Sequence, residues 1–293
     1  MKPCPPPAPH PRKPKFAMPA NACDTHAHIF GPAARYPWSP NRGYTPPDAL
    51  PADYERLHAA LGVTRGVITQ PSVYGIDNSA TLDYVANNLA RLRAVVSVGA
   101  EVTDKDLAGM HEAGARGIRV NLADRGGNPF ASFAELHRMA DRIKPLGWHI
   151  ELLIHVHEMD AYINDIKRLP VEASVGHLGY MPATLGADHA KFRGFLDLVE
   201  AGRFWVKLTG AYRVTGMKQT PYSDVTPFAR ALIARRPDRM LWGTDWPHPI
   251  CPVPMPNDGD LTDHLADWIP DPVTRHRVLV DNPAALFGFE PVS

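Results

Sequence analysis

The feature that most constrains this chain is an alternation. From residue 22 onward, short β-branched runs (22–28, 66–70, 94–99, 117–122, 148–155, 172–177, 204–209 and 240–244) alternate with helical patterns. The helical patterns cover 53–61, 80–92, 104–113, 133–143, 159–169, 190–201 and 227–234, and two more, 260–269 and 272–280, follow the last run. Eight strands alternating with helices over about 265 residues predict an α/β fold, a (β/α)8 TIM barrel forming one domain over residues 22–293. A doubly wound sheet would need a Gly-rich nucleotide turn after its first strand, and His26-Ala27-His28 stands there instead. Residues 1–21 read as a Pro-rich N-terminal arm, since eight of the 31 prolines fall within residues 1–19. Such an arm is either an unstructured leader or a contact in an oligomer.

Composition removes several classes of function. Lys and Arg number 31 against 31 Asp and Glu, so the basic footprint of a nucleic-acid binder is missing. No apolar run reaches the roughly 18 residues of a membrane span, and the opening Met1-Lys2-Pro3-Cys4 lacks the apolar core of a secretory signal. Three cysteines (Cys4, Cys23 and Cys251) make no disulfide framework. The expectation is a cytoplasmic protein, monomer or small homo-oligomer, acting on a small molecule without nucleic-acid or membrane partners.

A barrel gathers the C-terminal ends of its strands at one mouth, so chemistry is sought there. Asp24, His26 and His28 alternate along the first strand and are expected to project together towards the axis. Asp245, in Trp242-Gly243-Thr244-Asp245-Trp246-Pro247-His248-Pro249, ends the eighth strand and reads as a general base. Barrel closure would bring it beside His26 and His28. His177 ends the sixth strand, whereas His155 and His157 read as solvated loop residues. Arg119, Arg125 and Arg213 lie at strand ends and would bind carboxylates through their planar forks. Tyr44 and Ser72 add hydroxyl donors.

With these motifs in place, the chain resembles the amidohydrolase superfamily, and within it the 2-pyrone-4,6-dicarboxylate lactonases. The residues carrying the resemblance are Asp24–Pro32, Pro37-Trp38-Ser39-Pro40, Tyr44, Asp48-Ala49, 75–83, 117–121 and 242–249. It spans roughly residues 22–288. The resemblance implies a hydrolase that opens a carboxylated, di-anionic lactone in aromatic-compound degradation. Asp245 would activate water, while His26, His28 and His177 would stabilise the oxyanion. Arg119, Arg125, Arg213, Tyr44 and Ser72 would hold the substrate's acidic groups, with His248 supporting the site beside Asp245. Three positions depart from the pyrone-dicarboxylate pattern: Leu153, Tyr180 and Tyr74. They leave sulfomuconolactones and sugar-acid lactones as alternative substrates. A metal-dependent decarboxylase of the same superfamily and a non-catalytic acid-binding barrel are the rival functions.

The resemblance implies catalysis without a required cofactor. One Zn²⁺ held by His26, His28, His177 and Asp245 is the alternative. Arg119, Asn121 and Leu153 stand where further ligands would be sought and argue against a permanent binuclear site.

Overall fold

The computed structural model describes residues 2–123 and 127–290. Its eight main strands form one parallel sheet in sequence order. They are β1 (Cys23–Ala27), β2 (Arg65–Thr69), β3 (Leu92–Val96), β4 (Ala115–Asn121), β5 (His149–Leu153), β6 (Ala173–Val175), β7 (Phe204–Leu208) and β8 (Met240–Trp242). The sheet closes through residues just beyond β8. Ala27 bridges Trp246, the Asp245 N–H donates to the His26 carbonyl at 2.7 Å, and the His28 N–H donates to the Trp246 carbonyl at 2.8 Å. A Cβ on Gly243 would lie 2.7 Å from the His26 nitrogen, so only glycine lets the two strands approach this closely. The expected barrel is present, with all eight strands within a few residues of their predicted places.

The helices lie between the strands: α1 (Pro51–Leu61), α2 (Ser79–Ala86), α3 (Asp104–Glu112), α4 (Phe133–Ile143), α5 (Ile163–Lys167) and α6 (Ala190–Glu200). A short α7 (Ala211–Val214) and then α8 (Thr226–Arg235) follow β7, and α9 (Asp258–Trp268), α10 (Pro272–His276) and α11 (Asn282–Phe287) follow β8. In α4 the buried Leu136, Met139, Ala140 and Ile143 form one face, and the Ser132 hydroxyl accepts from the Glu135 N–H at the N-terminus. Three helices differ from the pattern read above; the run 159–169 is α-helical only at Ile163–Lys167, after a tighter turn over Val156–Ala161. The run 80–92 stops being helical at Ala86, because the Asn87 and Asn88 amides donate to the carbonyls of Asp83 and Tyr84, and Leu92 is drawn into β3. The run 272–280 is broken by a wide helical turn at Arg277–Asp281, after which α11 carries the chain under the barrel. There Leu286, Phe287 and Phe289 pack with Cys23, Val67, Val95, Trp205 and Leu241, closing the floor at the strands' N-terminal side.

The N-terminal arm is docked on the barrel, not the loose leader its prolines suggest. Arg12 pairs with Asp260 at 2.6 Å and with Asp263, and its N–H donates to the Asn257 side chain at 2.8 Å. Phe16 lies beneath the Arg275 guanidinium, and Lys2–Pro3 runs parallel to Tyr44–Thr45. Among the described residues, no helix is long and apolar enough to cross a membrane.

Candidate active site

The mouth is built first by an irregularity in β1. Cys23 faces the floor, so strict alternation would turn His26 and His28 away from the barrel axis. The β1–β2 register shifts between Asp24 and Ala27 and reverses this, sending both imidazoles inward. Asp24 does not accompany them, contrary to the alternation read from sequence. Its carboxylate accepts from the Thr244 N–H (2.8 Å) and hydroxyl (2.6 Å), and from Tyr54 of α1 (3.2 Å). Asp24 is thus a clamp on the barrel seam.

Asp245 is fully buried at that seam, in the left-handed region with φ 63°. Its Oδ2 accepts from the Tyr212 hydroxyl at 2.5 Å and from Arg213 Nε at 2.6 Å. The other oxygen, Oδ1, has no hydrogen-bond partner among the described residues and lies 3.6 Å from His26 Nε2 and 3.7 Å from His28 Nε2. His177 approaches from β6, its Nδ1 3.8 Å from Asp245 Oδ2 and 2.8 Å from the Thr209 hydroxyl. The His28 Nδ1–H donates to the Thr69 carbonyl at 2.7 Å, which leaves a lone pair on Nε2 facing Asp245.

Charge follows burial and neighbours. Burial alone would raise the Asp245 pKa, but the Arg213 guanidinium beside it outweighs that and holds the carboxyl well below the usual range. Burial pushes the imidazoles of His26, His28 and His177 down, the last two well down. At neutral pH the centre is an ionised carboxylate facing three uncharged imidazoles.

The remaining expected residues divide. Arg119 is buried at the end of β4; its Nη1 donates to the Gln70 carbonyl at 2.8 Å, and its Nε has no partner among the described residues. Tyr44 is buried within the field of Arg119 and Arg213, with Ser72 close by. Arg213 commits Nε to Asp245 and Nη2 to the Pro249 carbonyl, so it is held by the Asp245 carboxylate rather than left open. Arg125 lies outside the described residues. His248 sits behind the centre, 3.0 Å from Asp258 and edge-on to Tyr212. Tyr180 meets the His177 ring edge-on and stacks on His155. Tyr74 lies away from this group, its hydroxyl accepting from the Gly31 N–H.

The largest omission from the sequence reading is a buried ion pair inside the barrel. Glu151 of β5 and Lys207 of β7 bond to each other, and both reach His26 Nδ1 at 3.2 Å. A signal was available: each is the one carboxylate or ammonium in a strand otherwise made to be buried (149–153 and 204–208), where an unpaired charge is untenable.

The donor set also suits a divalent cation. His26, His177 and Asp245 offer ligand atoms within 4.8 Å of one another, and the orphaned Nε2 of His26 and Oδ1 of Asp245 are among the donor atoms there. A second group, His155, His157 and Glu158, lies nearer the surface.

The amidohydrolase family model matches residues 23–289. The chain belongs to the amidohydrolase family. This amidohydrolase is 39% identical over 277 residues to a 4-sulfomuconolactone hydrolase from Hydrogenophaga intermedia, covering 94% of this chain and 91% of that one. It is 38% identical over 291 residues to a 2-pyrone-4,6-dicarboxylate hydrolase from Comamonas testosteroni, covering 97% and 95%. An apo crystal structure from Agrobacterium tumefaciens superposes with a TM-score of 0.85 at 32% identity, covering 95% of this chain and all of that one.

Proposed function

We propose that this amidohydrolase hydrolyses a di-anionic lactone of the 2-pyrone-4,6-dicarboxylate type. The observation that carries the reading is the open Oδ1 of an ionised, buried Asp245 aimed at His26 and His28. Asp245 takes a proton from a water that attacks the ring carbonyl, an effect typically worth about 10²–10⁴-fold. The N–H groups of His26 and His177 receive the developing oxyanion, at roughly 3 kcal/mol per well-placed donor; His28, expected to share this role, gives its N–H to the Thr69 carbonyl and faces the centre with a lone pair instead. The proton on Asp245 then passes to the ring oxygen as the C–O bond breaks, leaving an open-chain acid.

The acidic groups of the substrate are assigned to Arg119, through its Nε, which has no partner among the described residues, and to Tyr44 and Ser72, with Arg125 expected to join them; Arg213, committed to Asp245 and the Pro249 carbonyl, serves Asp245 instead. His248 acts from behind, through Tyr212. None of these steps requires a metal. A divalent ion on His26, His177 and Asp245, with His28 adjoining, would supply Lewis-acid polarisation of the carbonyl. Three free thiols suit a reducing cytoplasm as the place of work.

A second reading, a sulfonated muconolactone as substrate, is favoured by the 39% identical relative and by arginines, which bind a sulfonate as well as a carboxylate. The test is loss of pyrone absorbance when 2-pyrone-4,6-dicarboxylate meets chelator-treated enzyme, run beside a sulfomuconolactone and a sugar-acid lactone. Turnover of the pyrone is expected. Turnover of the sulfomuconolactone alone would transfer the assignment to the second reading, and activity appearing only after zinc is restored would make the histidines ligands.

A further inference from the structure

The interior of the barrel beneath the catalytic histidines holds a device that decides what His26 can do. Lys207 is fully buried, and its ammonium has three protons and no lone pair. Three acceptors surround it: the Thr25 carbonyl at 2.6 Å, Glu151 Oε2, and His26 Nδ1 at 3.2 Å. Glu151 Oε1 also lies 3.2 Å from His26 Nδ1 and competes for that position as an acceptor of an imidazole proton. The two arrangements are exclusive. If His26 carried its proton on Nδ1 for Glu151, that proton would face the Lys207 ammonium head-on, and one ammonium proton would be buried without an acceptor. If Lys207 donates to Nδ1, all three of its protons are used, and Glu151 still holds the ammonium through Oε2.

We infer that Lys207, held in place by Glu151, is a positioning residue that fixes His26 as the tautomer with its proton on Nε2. In that form His26 presents an N–H to the space between Asp245 and His28. The neighbouring His28 is fixed the opposite way by the Thr69 carbonyl, with its Nε2 lone pair facing the same space. A water lying between them can therefore accept from His26 and donate to both His28 and Asp245 Oδ1, the orientation that sets its remaining lone pair free for attack. Two adjacent histidines of one H-x-H motif thus have complementary roles, set by what lies behind each ring. A donor at His26 Nε2 also favours a water or an oxyanion over a cation at that position.

The inference rests on the lactone reading only for its kinetic part. The test is a nitrogen-15 correlation spectrum of the histidine-labelled full-length enzyme at neutral pH, with the His26 signals assigned as those lost in His26→Asn. The expected pattern is a protonated Nε2 and an unprotonated Nδ1; the reverse pattern in the wild-type protein overturns the inference. In Lys207→Met the ammonium that holds Nδ1 unprotonated is removed. Turnover of the lactone should then fall by at least about tenfold in kcat with KM nearly unchanged, as loss of one oxyanion donor predicts. A folded Lys207→Met protein that keeps the wild-type kcat also overturns it, and if that variant does not fold, the wild-type spectrum decides. The expected tautomer in an enzyme that turns over no lactone would remove the functional reading and leave this inference standing.

Discussion

Asp245 gives the sharpest residue-scale expectation. Asp245→Asn keeps the shape of the side chain but removes the base, so turnover should be lost while substrate binding, followed by titration calorimetry, is retained. Arg213 acts through it. In Arg213→Met, burial is no longer opposed by the guanidinium, so the Asp245 pKa rises and the acid limb of the kcat/KM profile should move to higher pH. The buried imidazoles set a separate pH dependence for stability. His26, His28 and His177 are depressed in the folded state, and His149 is pushed down to about 4 by burial. The unfolded chain therefore binds protons first, so their contribution is complete above about pH 6.5 and is lost as pH falls towards the folded values. Thermal unfolding should show a Tm that falls between about pH 6.5 and 4 and is level above it. The site residues were legible in sequence because His26, His28, His177 and Asp245 sit at strand ends. Glu151 and Lys207 were not, because their partners are far away in the chain and only closure of the barrel sets one against the other.

At the scale of elements, β1 and the C-terminal segment carry the site between them. The β1 irregularity that turns His26 inward is pinned by Asp24, whose oxygens hold Thr244 across the seam and Tyr54 on α1. Opposite the mouth, Phe287 is fully buried among residues of five strands and lies near Lys207, 5.7 Å from the ammonium to the ring centroid. Phe287→Ala should cost about 3–5 kcal/mol in denaturant unfolding, as deletion of a buried aromatic does. Sequence periodicity placed the eight strands, since apolar β-branched runs are local signals. It did not place α11 or the turn before it, because the break at Arg277–Asp281 is dictated by what the segment must reach under the barrel, not by its own pattern.

Across the whole molecule, the arm and the barrel behave as one body. The arm's hold on α9 depends on Gly259, where an added Cβ would come within 2.2 Å of the Arg12 carbonyl oxygen. In an isolated helix Gly→Ala is favourable by about 1 kcal/mol. Here Gly259→Ala should instead lift the arm, and limited tryptic digestion should cut at Arg12, Lys13 and Lys15 faster than in the wild type. The ion pairs of Arg12 are part-exposed and should contribute at most about 1 kcal/mol, so backbone packing decides the outcome.

The sequence by itself determined the barrel, its mouth and the strand ends that bring His26, His28, His177 and Asp245 together there. Alternating apolar runs specify strands and helices, and position at a strand's end specifies direction towards the common face. The tertiary structure alone decided three other things: the outward turn of Asp24, the use of Arg213 on Asp245, and the buried Glu151–Lys207 pair behind His26. Each depends on a contact between groups at least 30 residues apart, whose distance the chain does not encode until the sheet closes.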